Sequence, residues 1–333
     1  MLTTPSNMLG EKGRRPLVSV VTAAFNEAAN LNLLYERLSD VVKSMDVDWE
    51  WIVIDDHSGD DTFAVLAALA AHDEHVKGYR FARNFGSHAA TTCALRAARG
   101  DCAVTMAADL QDPPETLREL VEKWRGGAQV VWAVRAARKG VSRRTVAFAH
   151  IYYFLMRHFV GLKDMPATGA DFFLIDRRVI DSLSQFNEGN MSLFALINWM
   201  GYRQAMIAYD KQARLHGRSG WSLNKKLKLV VDSVTSFTYL PIRLMSYAGF
   251  LIALLGFLYA GLVILNSLTG HPVQGWSSLM VVVLVIGGIQ MLMMGVLGEY
   301  LWRALDEARR RPRYLIEASI GPREEIPEKS LDD

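Results

Sequence analysis

In the stretch VTMAADLQDPPE, Val104 to Glu115, a carboxylate and an amide oxygen stand two residues apart, Asp109 and Gln111, just after an apolar run. At a strand end, side chains at i and i+2 face the same way. Two oxygen ligands so placed suit a hard divalent cation, Mg²⁺ or Mn²⁺, that in turn holds a diphosphate. Ala107 stands where a second carboxylate would complete a metal clamp, and Asp112, before Pro113 and Pro114, reads as a cap for the helix that follows. Other chemistries lose their support. The chain has no G-x-G-x-x-G fingerprint and no Walker-type phosphate loop, which argues against a dinucleotide oxidoreductase and a P-loop ATPase. It has no H-E-x-x-H and no clustered Cys/His spacing. Cys93 and Cys102 are the only cysteines and are expected as small buried packing residues. The 37 basic and 35 acidic residues leave a formal net charge of +2, which argues against a nucleic-acid binder.

The elements that must position these groups are legible upstream and downstream. Between about Pro16 and Trp132, apolar runs (LVSVVTAAF, WEWIVIDDHS, VKGYRFARN, DCAVTMAADL, AQVVWAVR) alternate with amphipathic ones (NLLYERLSDVVKSM, TFAVLAALAAH, AATTCALRAARG, ETLRELVEKWRGG). Strand and helix in alternation predict an α/β domain with a mostly parallel sheet, and continuous hydrophobicity in the strands predicts a sheet covered on both faces. Ligands of such sheets bind beyond the carboxyl ends of the strands. Asn26 and Glu27, Asp55 and Asp56, Arg83 and Asn84, and Asp109, Gln111 and Asp112 all follow strands in this way.

The hydrophobic excess lies near the C-terminus. Residues 244–268 carry no charge, and residues 276–298 nearly repeat that length before the helix pattern runs on to 301. Each stretch is long enough at about 1.5 Å per residue to cross a hydrocarbon core of roughly 30 Å. The intervening loop 269–275 has no Lys or Arg, whereas Lys225, Lys226, Lys228 and Arg243 precede the first stretch and Arg303, Arg309, Arg310, Arg311 and Arg313 follow the second. The positive-inside rule then places both termini and the large N-terminal region in the cytoplasm, on a multi-pass protein with two spans. The opening residues 1–15 have no apolar run or cleavage-like site, so no signal peptide is expected. Segments 143–162 and 224–243 are basic and aromatic and read as interfacial helices on the membrane, with a packed core helix as the rival for the first. The expected organisation is a tail over 1–15, a catalytic domain over 16–223, a juxtamembrane helix over 224–243, the hairpin 244–268 and 276–301, and a basic C-terminal segment over 302–333.

SVVTAAFNEAANL, VIDDHSGDDT, FARNFGSHAA and ADLQDPPE, in this order and spacing, resemble inverting glycosyltransferases of the GT-A fold, and more narrowly the polyprenyl-phosphate glycosyltransferases akin to dolichyl-phosphate mannose synthase and bactoprenol glucosyltransferase. The resemblance continues through GADFFLIDRRV and RLHGRSGWSLNKKLKL to the apolar pair and GEYLWRALDEARRRPRYLIE. It implies a nucleotide site at Phe25, Asn26, Glu27, Asp55 and Asp56, and a Mg²⁺ or Mn²⁺ site on the diphosphate at Asp109 and Gln111. It also implies an acceptor-phosphate site at Arg135 and Arg143 or Arg144, and a closing loop at Arg214, Arg218 and Ser219. The implied substrates are a nucleoside-diphosphate sugar, most commonly a UDP-sugar among bacterial relatives, and undecaprenyl phosphate in the inner membrane. A flippase and a downstream transferase would use the product, and relatives of this architecture form tetramers. Gly287, Gly288 and Gly295 would allow close helix approach, in such an assembly or within the hairpin.

Four positions depart from the family pattern: Ala107 in place of the first Asp of DAD, Ala23 in place of a proline, His57 in place of the glycine of DDGS, and Gly220 in place of a lysine. Loss of one carboxylate is expected to weaken the metal site without abolishing it. His57 is not needed as a base, because a phosphate with a second pKa of about 6 is already an anionic nucleophile near neutral pH. Two rival readings stay open at this point: an enzyme using another lipid or glycan acceptor, which would need a base for a hydroxyl nucleophile, and a non-catalytic sugar-nucleotide-binding scaffold.

Overall fold

The computed structural model describes residues 14–136, 172–186, 193–212, 240–269, 275–309 and 311–321. The apolar runs form strands β1 (Leu17–Ala24), β2 (Asp48–Asp55), β3 (Val76–Phe81), β4 (Cys102–Thr105) and β5 (Val130–Arg135). Helices α1 (Ala28–Lys43), α2 (Thr62–His72), α3 (Ser87–Ala97) and α4 (Leu117–Arg125) alternate with them. Then come β6 (Phe173–Asp176), α5 (Arg177–Ser184), α6 (Leu193–Trp199), β7 (Gln204–Tyr209), α7 (Leu240–Leu268), α8 (Trp276–Ala308) and β8 (Ile316–Ile320).

The strands make one sheet in the order β7-β5-β6-β4-β1-β2-β3-β8. Strands β3, β2, β1 and β4 run parallel, as do β5 and β7, while β6 and β8 pair antiparallel with their neighbours. The mostly parallel sheet expected from alternation is therefore present, with two reversed strands that alternation did not signal.

Both faces are covered, which is why the central strands read as continuous apolar runs. Leu31, Leu34, Leu38 and Val41 of α1, Leu66 of α2 and Leu117, Leu120 and Val121 of α4 recur at helical spacing and pack with Val18, Val20, Trp51, Val53 and Val104 on one face. Ala90, Cys93 and Ala94 of α3 and Val179, Ile180 and Leu183 of α5 pack with Val21, Ile52, Ile54, Phe81 and Ala103 on the other. The two cysteines are free and buried here, as expected. Burial holds the Cys93 thiol up at about 12 and the Cys102 thiol well above its ordinary value, so neither is a reactive thiolate.

Large exposed apolar side chains concentrate in α7 and α8, with Phe257 79% and Met291 75% exposed. Gly249 of α7 lies against Met293 of α8, which joins the two helices. A Cβ placed on Gly287, Gly288 or Gly295 would meet nothing within 4 Å among the described residues. Among the described residues one segment, Val285–Ala308, is long and apolar enough to cross a membrane, and Met245–Tyr259 is apolar but shorter. Of the two spans expected, one meets that criterion.

The segment after the hairpin is not a mere basic tail. Ile316–Ile320 returns to the sheet as its edge strand β8, antiparallel to β3.

Candidate active site at the carboxyl edge of the sheet

Because β1, β2, β3 and β4 run parallel, the polar groups that follow them emerge on one edge. The antiparallel β6 and β8 start at that same edge, since Phe173 faces Thr105 and Ile316 faces Phe81. The backbone there is strained. Asn26 (φ 57°), His57 (φ 61°) and Leu110 (φ 59°) are the non-glycine residues with positive φ among those described, and each follows a neighbouring strand, β1, β2 or β4. Left-handed backbone costs a bulky residue roughly 1–3 kcal/mol and persists where surrounding contacts over-determine it. Here the contacts are visible.

The first two turns are stitched together. The Asn26 amide donates to Ser58 Oγ (2.9 Å), the Gly59 amide donates to Asn26 Oδ1 (2.8 Å), and the Glu27 amide donates to Thr62 Oγ1 (2.9 Å). Glu27 Oε2 in turn accepts from Asn30 Nδ2 (2.5 Å). Phe25 is 48% exposed, a large apolar ring left open beside this junction.

Asp55 and Asp56 are buried, and both are engaged within the chain. Asp55 Oδ1 accepts from the Ser58 amide (2.9 Å), and Oδ2 receives Arg80 Nη1 (3.1 Å). Asp56 accepts from the Phe85 amide (2.7 Å) and the Gly86 amide (2.9 Å), tying the turn after β2 to the start of α3. Burial raises the Asp56 pKa above its ordinary value against the pull of those two amides. His57 presents a 42% exposed side chain whose Nδ1 lies 2.9 Å from the Phe81 carbonyl oxygen.

After β4, the Asp109 carboxylate accepts from the Gln111 amide (3.1 Å) across the left-handed Leu110. Gln111 O accepts from the Gln212 amide (2.9 Å), so the loop is anchored to the residues that follow β7. Among the described residues no three His, Cys, Asp or Glu side chains converge as a metal set. Asp109 and Gln111 offer oxygen donors only. That set fits a hard cation such as Mg²⁺ or Mn²⁺, which keeps several waters and completes its shell with substrate phosphates.

Asp112 does not cap a helix. The turn Pro114–Thr116 starts from Pro113 without a side-chain cap, and Asp112 Oδ1 accepts instead from Tyr209 Oη (2.7 Å), with Lys211 Nζ at 3.7 Å. The reason is tertiary: β7 brings a phenol and an ammonium within reach of a fully buried carboxylate. Arg135 lies at the end of β5, paired in register with Tyr209. Tyr209, Lys211 and Gln212 were not singled out from sequence, and their only signal was the polar run AYDKQ after an alternating strand. Arg143, Arg144, Arg214, Arg218 and Ser219, and the segments 143–162 and 224–239, lie outside the described residues.

Comparison with known proteins places the chain in a family. The family model for Glycosyl transferase family 2 matches residues 19–184, and that for the GtrB C-terminal hairpin matches residues 240–303. The chain is 38% identical over 304 residues to a protein named uncharacterized glycosyltransferase YkcC from Bacillus subtilis (strain 168), covering 91% of this chain and 94% of that one. It is 33% identical over 303 residues to the bactoprenol glucosyl transferase of Shigella phage SfII, covering 91% and 98%. Among solved structures, mannosyltransferase PcManGT from Pyrobaculum calidifontis, in complex with GDP-Man and Mn²⁺, aligns with a TM-score of 0.41 at 23% identity, over 59% of this chain and 56% of that one.

Proposed function

The chain belongs to glycosyltransferase family 2, and on that premise we propose that it transfers a sugar from a nucleoside diphosphate to a polyprenyl phosphate at the cytoplasmic face of the inner membrane, with inversion at the anomeric carbon. The observation that carries this reading is the clustering of the three left-handed residues, Asn26, His57 and Leu110, at one sheet edge to which the apolar hairpin is tethered. From Ala308 at the end of α8 to Ile316 at the start of β8 is eight residues. Extended chain covers at most about 3.5 Å per residue, so the end of the apolar helix lies within roughly 28 Å of that edge. A soluble donor and a lipid whose phosphate sits at headgroup level would meet there.

The turn carrying Phe25, Asn26 and Glu27 and the turn held by Asp55 and Asp56 receive the nucleoside. The two aspartates contribute by fixing the turn geometry, since their oxygens are already engaged. Asp109 and Gln111 would hold Mg²⁺ or Mn²⁺ on the diphosphate, and a cation there supplies charge stabilisation for the departing nucleoside diphosphate. Arg135, with Arg143 and the loop bearing Arg214, Arg218 and Ser219, receives acceptor or donor phosphates. In the transfer itself an acceptor phosphate oxygen forms a bond to the anomeric carbon as the bond from that carbon to the diphosphate oxygen breaks. The nucleophile is already anionic, so the protein's part is positioning and charge stabilisation rather than proton removal. The hairpin α7 and α8 spans the membrane twice in this reading. Its open faces, including Gly287, Gly288 and Gly295, are available for self-association in a homo-oligomer.

The decisive experiment incubates purified protein with undecaprenyl phosphate and labelled UDP-, GDP- or dTDP-sugars, with Mg²⁺, with Mn²⁺ or with chelator, and extracts the lipid. Label is expected in the organic phase from one donor and only with metal. A preparation that binds nucleotide and metal yet moves no label from any donor would overturn the reading.

A further inference from the structure

We propose that Glu317, delivered by β8 after the hairpin, is a positioning residue of the donor site. Opposite β8, Arg80 pairs with Ala318 and Phe81 with Ile316, so the register shift between Arg80 and Phe81 leaves Glu317 as the extra residue of a bulge. Bulges beside functional edges re-aim a side chain. The Glu317 carboxylate is aimed at one group of β3 and one of the turn after β2: Oε2 lies 3.4 Å from Arg80 Nε and 3.5 Å from His57 Nδ1.

Arg80 passes this constraint on. Its Nη1 holds Asp55 Oδ2 (3.1 Å), its Nη2 donates to the Ser58 carbonyl (3.1 Å), and its guanidinium lies over the Phe63 ring at 5.5 Å. Ser58 in turn fixes the Asn26 amide through Oγ. One carboxylate from beyond the hairpin thus braces a chain of contacts running from β8 through β3 and the turn after β2 to the first motif. The strand is seated firmly enough to do this. The Ala82 amide donates to Leu315 O (2.9 Å), and Tyr314 stacks on Phe81 with centroids 5.2 Å apart. The segment that follows the apolar helices is therefore a working part of donor binding.

This inference rests on the nucleotide-sugar reading above, and its test separates the two. Full-length protein in detergent is prepared as wild type, Glu317→Gln and Glu317→Ala. UDP affinity is measured by calorimetry, KM for the sugar donor and for the lipid acceptor by label transfer, and amide exchange at Ser58 and Gly59 without ligand. Glu317 is half exposed, so the expected loss is that of an exposed charged contact: UDP affinity and donor KM worsen about two- to fivefold. The lipid KM should move less than the donor KM, and Ser58 and Gly59 should exchange faster. Unchanged UDP affinity and exchange in folded variants would overturn the role of Glu317, as would equal losses on donor and acceptor sides with a lowered melting temperature. A wild-type protein that binds no nucleoside diphosphate would refute the transferase reading, while exchange at Ser58 and Gly59 would still report on Glu317.

Discussion

Replacing Asp56 by Asn tests whether this carboxylate shapes the site or touches the nucleotide. In the structure Asp56 is 3% exposed, and its two oxygens accept from the Phe85 and Gly86 amides. Asparagine keeps one acceptor and turns an NH₂ group toward the other amide, so one charge-assisted hydrogen bond is lost and one buried N–H is left facing a donor. Those losses come to roughly 2–4 kcal/mol, since each is about 1.5–3 kcal/mol and they overlap. Burial already opposes ionisation of Asp56, and the neutral amide escapes that penalty, which places the net cost nearer about 2–3 kcal/mol. For a domain of this size each kcal/mol lowers Tm by about 2–4 °C, so a fall of roughly 4–12 °C is expected. Gly86, at φ 94°, begins α3 in a conformation that only glycine adopts freely, and without its acceptor this turn is the first to loosen. The assay is thermal melting of the full chain in detergent, with UDP affinity measured well below the melt. A weakened UDP affinity with an unmoved Tm would refute this account and return Asp56 to direct contact with the nucleotide.

Other substitutions probe the remaining parts. Asp109→Ala should lower label transfer by roughly 10²–10³-fold, the scale of losing one charge-organising group at a reacting centre, and wild-type turnover with unchanged metal dependence would remove Asp109 from the site. Arg135→Ala should raise KM for the lipid acceptor more than for the sugar nucleotide, and a change confined to the donor would move Arg135 to the other substrate. Ala107→Asp should lower the Mn²⁺ concentration needed for half-maximal transfer; an unmoved metal titration would mean that position 107 does not face the cation. Glu50 supplies a pH test. Burial pushes its pKa up, but bonds from Ser19 Oγ, the Arg99 amide and Lys77 Nζ outweigh that and hold it below the ordinary 4.5. A depressed carboxylate stabilises the fold above its unfolded pKa and loses that contribution as pH falls through the lower folded value. Melting temperature of the wild type should therefore fall more steeply below about pH 4.5 than that of Glu50→Gln, and parallel acid profiles would rule out this source of stability.

Much of the molecule was legible along the chain because the signals are local. Alternating apolar and amphipathic runs announce β1 to β5 with α1 to α4, and once parallel pairing is inferred, Asn26, Asp55, Asp56 and Asp109 must share one edge. The ordered motifs and the C-terminal apolar pair carried the family resemblance in the same way. The placement of Asp109 and Gln111 at a strand end did not follow in this way, because β4 closes at Thr105 and both residues lie in the turn beyond it, on either side of the left-handed Leu110.

What tertiary structure decided is where a polar group finds its partner. A buried Asp after a strand caps a helix, binds a ligand or holds another loop according to which donors the fold brings within hydrogen-bond distance, and spacing does not encode that. Thus Asp112 serves Tyr209 from 97 residues away rather than the adjacent helical turn, and Asp56 serves the start of α3. The edge strand β8 is the clearest case. Its five residues are too short for periodicity to mark, and its pairing with β3 closes a loop of more than two hundred residues, so only the folded chain reveals that Glu317 reaches the turn after β2.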